Sequence, residues 1–177
     1  MTPQSRDFST PWQSQAIQKT LQTLLVAEVV RPSSQLWILS AWITDVHVVD
    51  NGARAFSGVR PDWPADRIPL SSVVEAIVER GGRVALVLRD VEHNAPFLRR
   101  LREIQQRRPG RLGIAVSAAA HEKAIVGDEY VLGGSMNLTV NGLNHSDEHV
   151  LLRVDRQAAA QRRLALSARW KEHLSWG

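Results

Sequence analysis

Val84-Ala85-Leu86-Val87-Leu88 is an unbroken aliphatic run between Gly81-Gly82 and Arg89-Asp90. A strand with one wet face alternates apolar and polar residues. A run apolar at every position must be covered on both faces, as strands are inside a parallel, helix-flanked sheet. Residues 36–42 (LWILSAW) and Leu112-Gly113-Ile114-Ala115-Val116 have the same character. Between these runs the period becomes helical. Residues 13–30 place Ile17, Leu21, Leu24, Leu25 and Val29 on one face before Pro32, and Ser71 or Ser72 is positioned to cap a helix through Val73, Val74, Ile77 and Val78. Residues 95–106 form a third helix, ended by Pro109-Gly110. Further strands are expected at 121–126, 130–132 and 148–154, with an amphipathic closing helix at 158–174. The alternation predicts an α/β fold, a mixed β-sheet flanked by helices on both faces, in one domain spanning residues 1–177. Only residues 43–70, with Gly52, Gly58, Pro61, Pro64 and Pro69, lack a period. This long irregular segment is wider than ordinary connections and is a candidate functional rim.

Length and composition narrow the function. A chain of 177 residues can bury roughly 70% of its unfolded surface without covalent staples. No stretch approaches the ~18 apolar residues of a membrane span, and the opening MTPQSRDFSTPWQSQ has no apolar signal core. A cytoplasmic protein with no membrane partner is therefore expected. The absence of cysteine excludes disulfides, thiolate metal sites and a cysteine nucleophile. The formal charge is +4, and 19 of the 22 basic residues are arginine. GC-rich codon usage accounts for that bias, but permanent cations also suit a polyanion such as nucleic acid. Arg99, Arg100, Arg102, Arg107, Arg108 and Arg111 form the densest basic cluster, either a solvated helix face or a track for a phosphate backbone.

The segment from His121 to Asn137 stands apart. In a strand, residues two apart share a face, so His121 and Lys123 would project together, with Ile125 continuing that face. The next strand leads into Gly134-Ser135-Met136-Asn137, where glycine lets backbone approach a bound group closely. An imidazole, an ammonium, a hydroxyl and a carboxamide can each bind a phosphate oxygen, and imidazole can also attack phosphorus or carry a proton near neutrality.

This pattern, His121-x-Lys123-x4-Asp128 followed by Gly134-Ser135-x-Asn137 and a downstream acid at Glu148, resembles the signature of the phospholipase D superfamily. The resemblance implies that His121 is the nucleophile forming a phosphohistidine, or its partner that protonates the leaving oxygen. Lys123 and Asn137 would hold non-bridging oxygens, and Ser135 would assist the binding turn. Glu148 would fix the imidazole tautomer, and Asp128 and Gly134 would be structural. No metal or cofactor is required by this scheme. The chain holds one such motif where two histidines are needed. The resemblance is therefore to the small, single-motif nuclease branch, and a homodimer sharing one active site is expected. Residues 36–50, Asn51-Gly52 and His93-Asn94 further resemble Dpd-type phospholipase D-like subunits of bacterial DNA-defence systems. That likeness implies DNA as substrate and possible defence-system subunits as partners.

Two other functions compete with a nucleic-acid phosphodiesterase: phospholipase D or cardiolipin-synthase-like lipid transfer, and a non-catalytic module that holds phosphate without cleaving it. His47 and His93 read as surface or capping residues. A zinc site among His145, Asp147, Glu148 and His149 is not expected without cysteine or a helix-spaced histidine pair. Of Trp12, Trp37, Trp42, Trp63, Trp170 and Trp176, most serve as core or interface anchors, while Trp42 and Trp63 are candidates for stacking bases.

Overall fold

A computed structural model describes residues 4–9, 13–144 and 148–177, so Trp12, His145 and Asp147 lie outside the described residues. In chain order the elements are β1 (Gln4–Ser9), α1 (Ser14–Val30), β2 (Leu36–Ser40), β3 (His47–Asp50), β4 (Arg67–Pro69), α2 (Leu70–Glu79), β5 (Val84–Leu88), α3 (Ala95–Arg107), β6 (Leu112–Val116), β7 (Ala124–Val126), β8 (Tyr130–Gly134), α4 (Val140–Asn144), β9 (His149–Val154) and α5 (Arg156–Trp170).

Seven strands form one mixed sheet in the order β1-β9-β8-β7-β2-β5-β6. β2, β5 and β6 run parallel, while β7, β8, β9 and β1 are added by antiparallel pairings. The all-apolar strands divide their side chains between two layers. Leu36, Ile38, Val84, Leu86 and Leu112 pack with Leu21 and Leu25 of α1, Val73 and Ile77 of α2, and Leu101 of α3. Trp37, Leu39, Ala85, Val87 and Ala115 pack on the other face with Leu166 and Trp170 of α5. Helices thus cover both faces of the sheet. Among the described residues, no helix is long and apolar enough to cross a membrane.

Three local expectations change. Residues 43–70 are not wholly irregular: β3 and β4 pair antiparallel, Trp63 is buried, and buried Asn51 accepts the Phe56 N–H at 2.9 Å and donates to the Pro64 carbonyl at 2.8 Å. Neither serine caps α2. Ser71 lies inside its first turn and donates its N–H and hydroxyl to the Asp45 carboxylate at 2.8 and 2.7 Å, so a residue 26 positions upstream satisfies the helix end. β1, which had no alternation to reveal it, is an edge strand with only Phe8 buried.

Glu79 ties α2 to its surroundings through Arg60 at 2.7 Å and Arg108 at 2.9 Å, and Glu75 pairs with Arg107 at 2.7 Å. Burial alone would raise the Glu79 pKa, but hydrogen bonds from Arg108 and Arg60 outweigh it and hold the carboxyl below its usual range. A depressed folded-state pKa stabilises above the unfolded carboxylate pKa of about 4.3, and the benefit disappears as pH falls through the folded value. Glu79→Gln is therefore expected to lower the thermal midpoint at pH 7 and to bring it close to wild type in strong acid, as read by calorimetry across pH.

Candidate active site

Strand direction decides which loops meet. The carboxyl ends of β2, β5 and β6 (Ser40, Leu88 and Val116) lie at one end of the sheet. β7 opposes Ala124 to Leu39, so residues 121–123 enter from that same end. β8 opposes Gly133 to Ala124 and therefore delivers residues 134–137 there, and β9 opposes Val150 to Gly134, so Glu148 and His149 begin there. His121, Lys123, Gly134, Ser135, Asn137 and Glu148 are gathered at one end of the sheet by register alone.

His121 and Lys123 lie before β7 rather than within it, in chain without strand pairing. What holds them together is a hook: Lys123 Nζ donates to the His121 carbonyl at 2.8 Å. Both line a cavity of about 330 Å³ with Gly133, Gly134, Ser135 and Arg162. Arg162, from α5, is ion-paired to Glu122 on the cavity wall, whereas Lys123 forms no ion pair among the described residues. The ammonium thus brings an uncompensated positive charge to the cavity, which suits an anion.

Ser135 is locked from three sides. Its N–H donates to the His149 carbonyl at 3.0 Å, its hydroxyl accepts the His149 N–H at 3.0 Å, and it donates to Glu148 Oε2 at 2.5 Å. Gly134 makes this possible. Its φ is +152°, and a Cβ there would lie 1.9 Å from the His149 carbonyl oxygen. The His121 imidazole forms no hydrogen bond among the described residues, and one Glu148 oxygen is engaged by Ser135 rather than by the imidazole. Asn137 accepts the Trp42 N–H on Oδ1 at 3.1 Å. Because a backbone N–H can only donate, the carboxamide oxygen must face Trp42, and its Nδ2 makes no hydrogen bond among the described residues.

Sequence reasoning missed the scaffold of this site. Asn94, 2% exposed, donates to the carbonyls of Ala41 at 2.9 Å and Arg89 at 2.8 Å and accepts the Ile43 N–H at 2.9 Å. It staples the chain leaving β2 to the chain leaving β5. Ser40 adds a second tie: its hydroxyl donates to the Trp42 carbonyl at 2.6 Å and accepts the Leu138 N–H at 3.0 Å. Only a buried polar residue in an otherwise apolar setting hints at such a role, and an asparagine before a helix reads first as a cap. Arg89 was likewise missed, although a charge just past the carboxyl end of a buried parallel strand sits where such sheets place ligands.

Asp128 lies away from the cavity at the β7–β8 turn. Its carboxylate accepts the Ser34 N–H at 2.8 Å and hydroxyl at 2.7 Å and is ion-paired to Arg163 of α5. The arginine cluster lies elsewhere. α3 runs back along the sheet, so Arg107 and Arg108 sit at the end opposite His121, near the start of β5, where they pair with Glu75 and Glu79. Arg100 pairs with Glu103 on the same exposed helix face that carries Arg99 and Arg102.

Residues 64–170 match the family described as cardiolipin synthase, PLD-like domain. The chain belongs to the phospholipase D-like family. The fold agrees: NucT from Helicobacter pylori superposes with a TM-score of 0.63 at 13% identity, covering 99% of both chains. The phospholipase D family member Nuc from Salmonella typhimurium gives a TM-score of 0.63 at 14% identity, over 98% of this chain and 97% of its own. Phosphatidylserine synthase from Haemophilus influenzae gives 0.57 at 13% identity over 98% of this chain but 40% of its own. No curated protein matches by sequence. In size and topology the chain therefore corresponds to the small members of the phospholipase D family and to a fraction of the larger ones.

Asn94→Ala is expected to cost roughly 2–4 kcal/mol, since it leaves buried carbonyls and an N–H unsatisfied. That corresponds to about 5–15 °C in thermal midpoint for a chain of this size. Differential scanning calorimetry checks it; a midpoint within a degree of wild type contradicts the keystone role.

Proposed function

We propose that this protein is a phosphodiesterase that hydrolyses nucleic acid through a phosphohistidine intermediate. The observation that carries this reading is one cavity holding His121, Lys123 and Ser135, with Asn137 and Glu148 delivered to the same end of the sheet. An imidazole nitrogen of His121 attacks phosphorus, and the P–O bond to the leaving oxygen breaks. That oxygen takes a proton from the His121 of a second copy, whose cleft is shared in a two-fold dimer. Water then attacks the phosphohistidine, passing its proton to the second imidazole and restoring both histidines. Lys123 and the Nδ2 of Asn137 stabilise the added negative charge on the non-bridging oxygens. Glu148, already fixed by Ser135, orients the imidazole. Because these cationic and amide donors carry the electrostatic load, no divalent cation is needed.

A near full-length match to Nuc and NucT supports the small, single-motif form of the superfamily. The Dpd-type resemblance extends the reading to a role in bacterial DNA defence. Lipid phosphodiester chemistry is the second reading, favoured by the cardiolipin-synthase description of the family and the synthase neighbour.

His121→Ala is expected to reduce hydrolysis of DNA by at least about a thousand-fold, while wild-type turnover persists in excess chelator. Acid-labile phosphate on His121 after rapid quench, and sedimentation as a dimer, complete the test. Strict dependence on Mg²⁺, full activity of a monomer, or head-group release from vesicles with no cleavage of nucleic acid would overturn the proposal.

A further inference from the structure

Among the described tryptophans Trp42 is the most exposed, at 39%, whereas Trp63, the other candidate for stacking, is buried at 5%. It is also held stiffly. Its N–H is bound by Asn137, its carbonyl by Ser40, and its neighbours Ala41 and Ile43 by the buried Asn94. An aromatic ring left open to water on a backbone pinned at four points is a surface prepared for contact, since little ordering remains to be done on binding.

Its surroundings define the ligand. The Arg89 guanidinium lies 5.6 Å from the indole centroid and Lys123 Nζ 6.0 Å, and neither forms an ion pair among the described residues. Trp42 also lines a cavity of about 300 Å³ with Thr44, His93, Asn137, Thr139 and Val140. That volume lies at the lower end of small-ligand sites, which run from about 300 to 1,000 Å³. Asn137 lines this second cavity, and Ser135, two residues earlier, lines the first together with Lys123, so a group seated here lies beside a phosphate held by Lys123. Two cations at the ring repel a quaternary ammonium head group, which seeks an aromatic face free of positive charge. They favour a planar base carried on an anionic backbone.

We propose that Trp42 is the stacking platform for the nucleobase next to the scissile phosphate, and that the substrate is therefore single-stranded nucleic acid. A base paired within a duplex presents no open face to an indole, whereas one in a single strand does. Arg89 and Lys123 hold the flanking phosphates, and the cavity beyond the indole receives the edge of the base. This inference rests on the reading of His121 as part of a nucleic-acid phosphodiesterase.

The test uses the full chain with His121→Asn, to prevent turnover, and fluorescence anisotropy of a short single-stranded oligonucleotide, the same strand with one abasic position, and its duplex. Adding Trp42→Ala is expected to weaken binding of the intact strand by about ten-fold or more. The corresponding loss on the best-placed abasic strand should be less than about two-fold, and Trp42→Phe, which keeps a ring, should stay within about three-fold of the parent. The parent itself should prefer the single strand to the duplex. Equal losses on intact and abasic strands, a Phe variant as weak as Ala, or a preference for duplex overturns the stacking platform while leaving the phosphodiesterase reading intact. Absence of binding to any oligonucleotide, or a Trp42→Ala effect seen only on phosphatidylglycerol vesicles, overturns both.

Discussion

The antiparallel pairing of β7 with β2, Leu39 facing Ala124, is the contact on which the rest of the site depends. The parallel strands β2, β5 and β6 already point their carboxyl ends one way. Reversing direction at β7, again at β8 and again at β9 turns a sequence span from His121 to Glu148 into a set of chain segments all opening at that end. Backbone hydrogen bonds set the register, and a slip of one residue would turn Ala124 and Val126 out of the layer they share with Trp37 and Trp170. The hydrophobic layers therefore hold the catalytic candidates in place, though none of those residues is itself apolar.

On that frame a small number of polar groups settle the finer geometry. Asn94 joins the segments after β2 and β5, Ser40 joins the first of these to Leu138, and Ser135 joins the β8 exit to the β9 entrance. Asp128 joins the β7–β8 turn to Ser34 and to Arg163 on α5. Beneath that turn the buried Glu28 accepts the Ser33 N–H and hydroxyl at 2.7 Å each. Burial, reinforced by the Glu28 charge, pushes the Tyr130 phenol well above its usual pKa. Polar ties of this kind are directional, which apolar packing is not, and a site proposed to grip a phosphate needs direction.

Much of the fold was legible, and the reason is periodicity. Strands β5 and β6 and helices α1 and α3 follow from runs whose apolar spacing admits one reading, and their observed bounds fall within a residue or two of those expected. β1, β3 and β4 were not legible. β1 is polar except for Phe8, β3 and β4 have only four and three residues, and each becomes a strand only because a partner strand is in reach. Capping shows the same limit. Two serines at the start of α2 suggested a local cap, yet the acceptor is Asp45, supplied from 26 residues away by the tertiary fold. The arginine cluster read as one surface, but α3's direction places Arg107 and Arg108 at the far end of the sheet, where they are paired with acids.

Residue types and their spacing determined on their own that the chain is an α/β protein, and the resemblance they carry singled out His121, Lys123, Ser135, Asn137 and Glu148 as one candidate motif. Motif chemistry is carried by side-chain identity, and a strand's need for cover is carried by hydrophobic pattern, so both are written locally. Tertiary structure alone decided that Trp42 and Arg89 join that motif, that Asn94 binds them together, and that Trp63 is withdrawn into the core. Those relations connect residues dozens of positions apart, and only strand direction and burial bring them within contact distance.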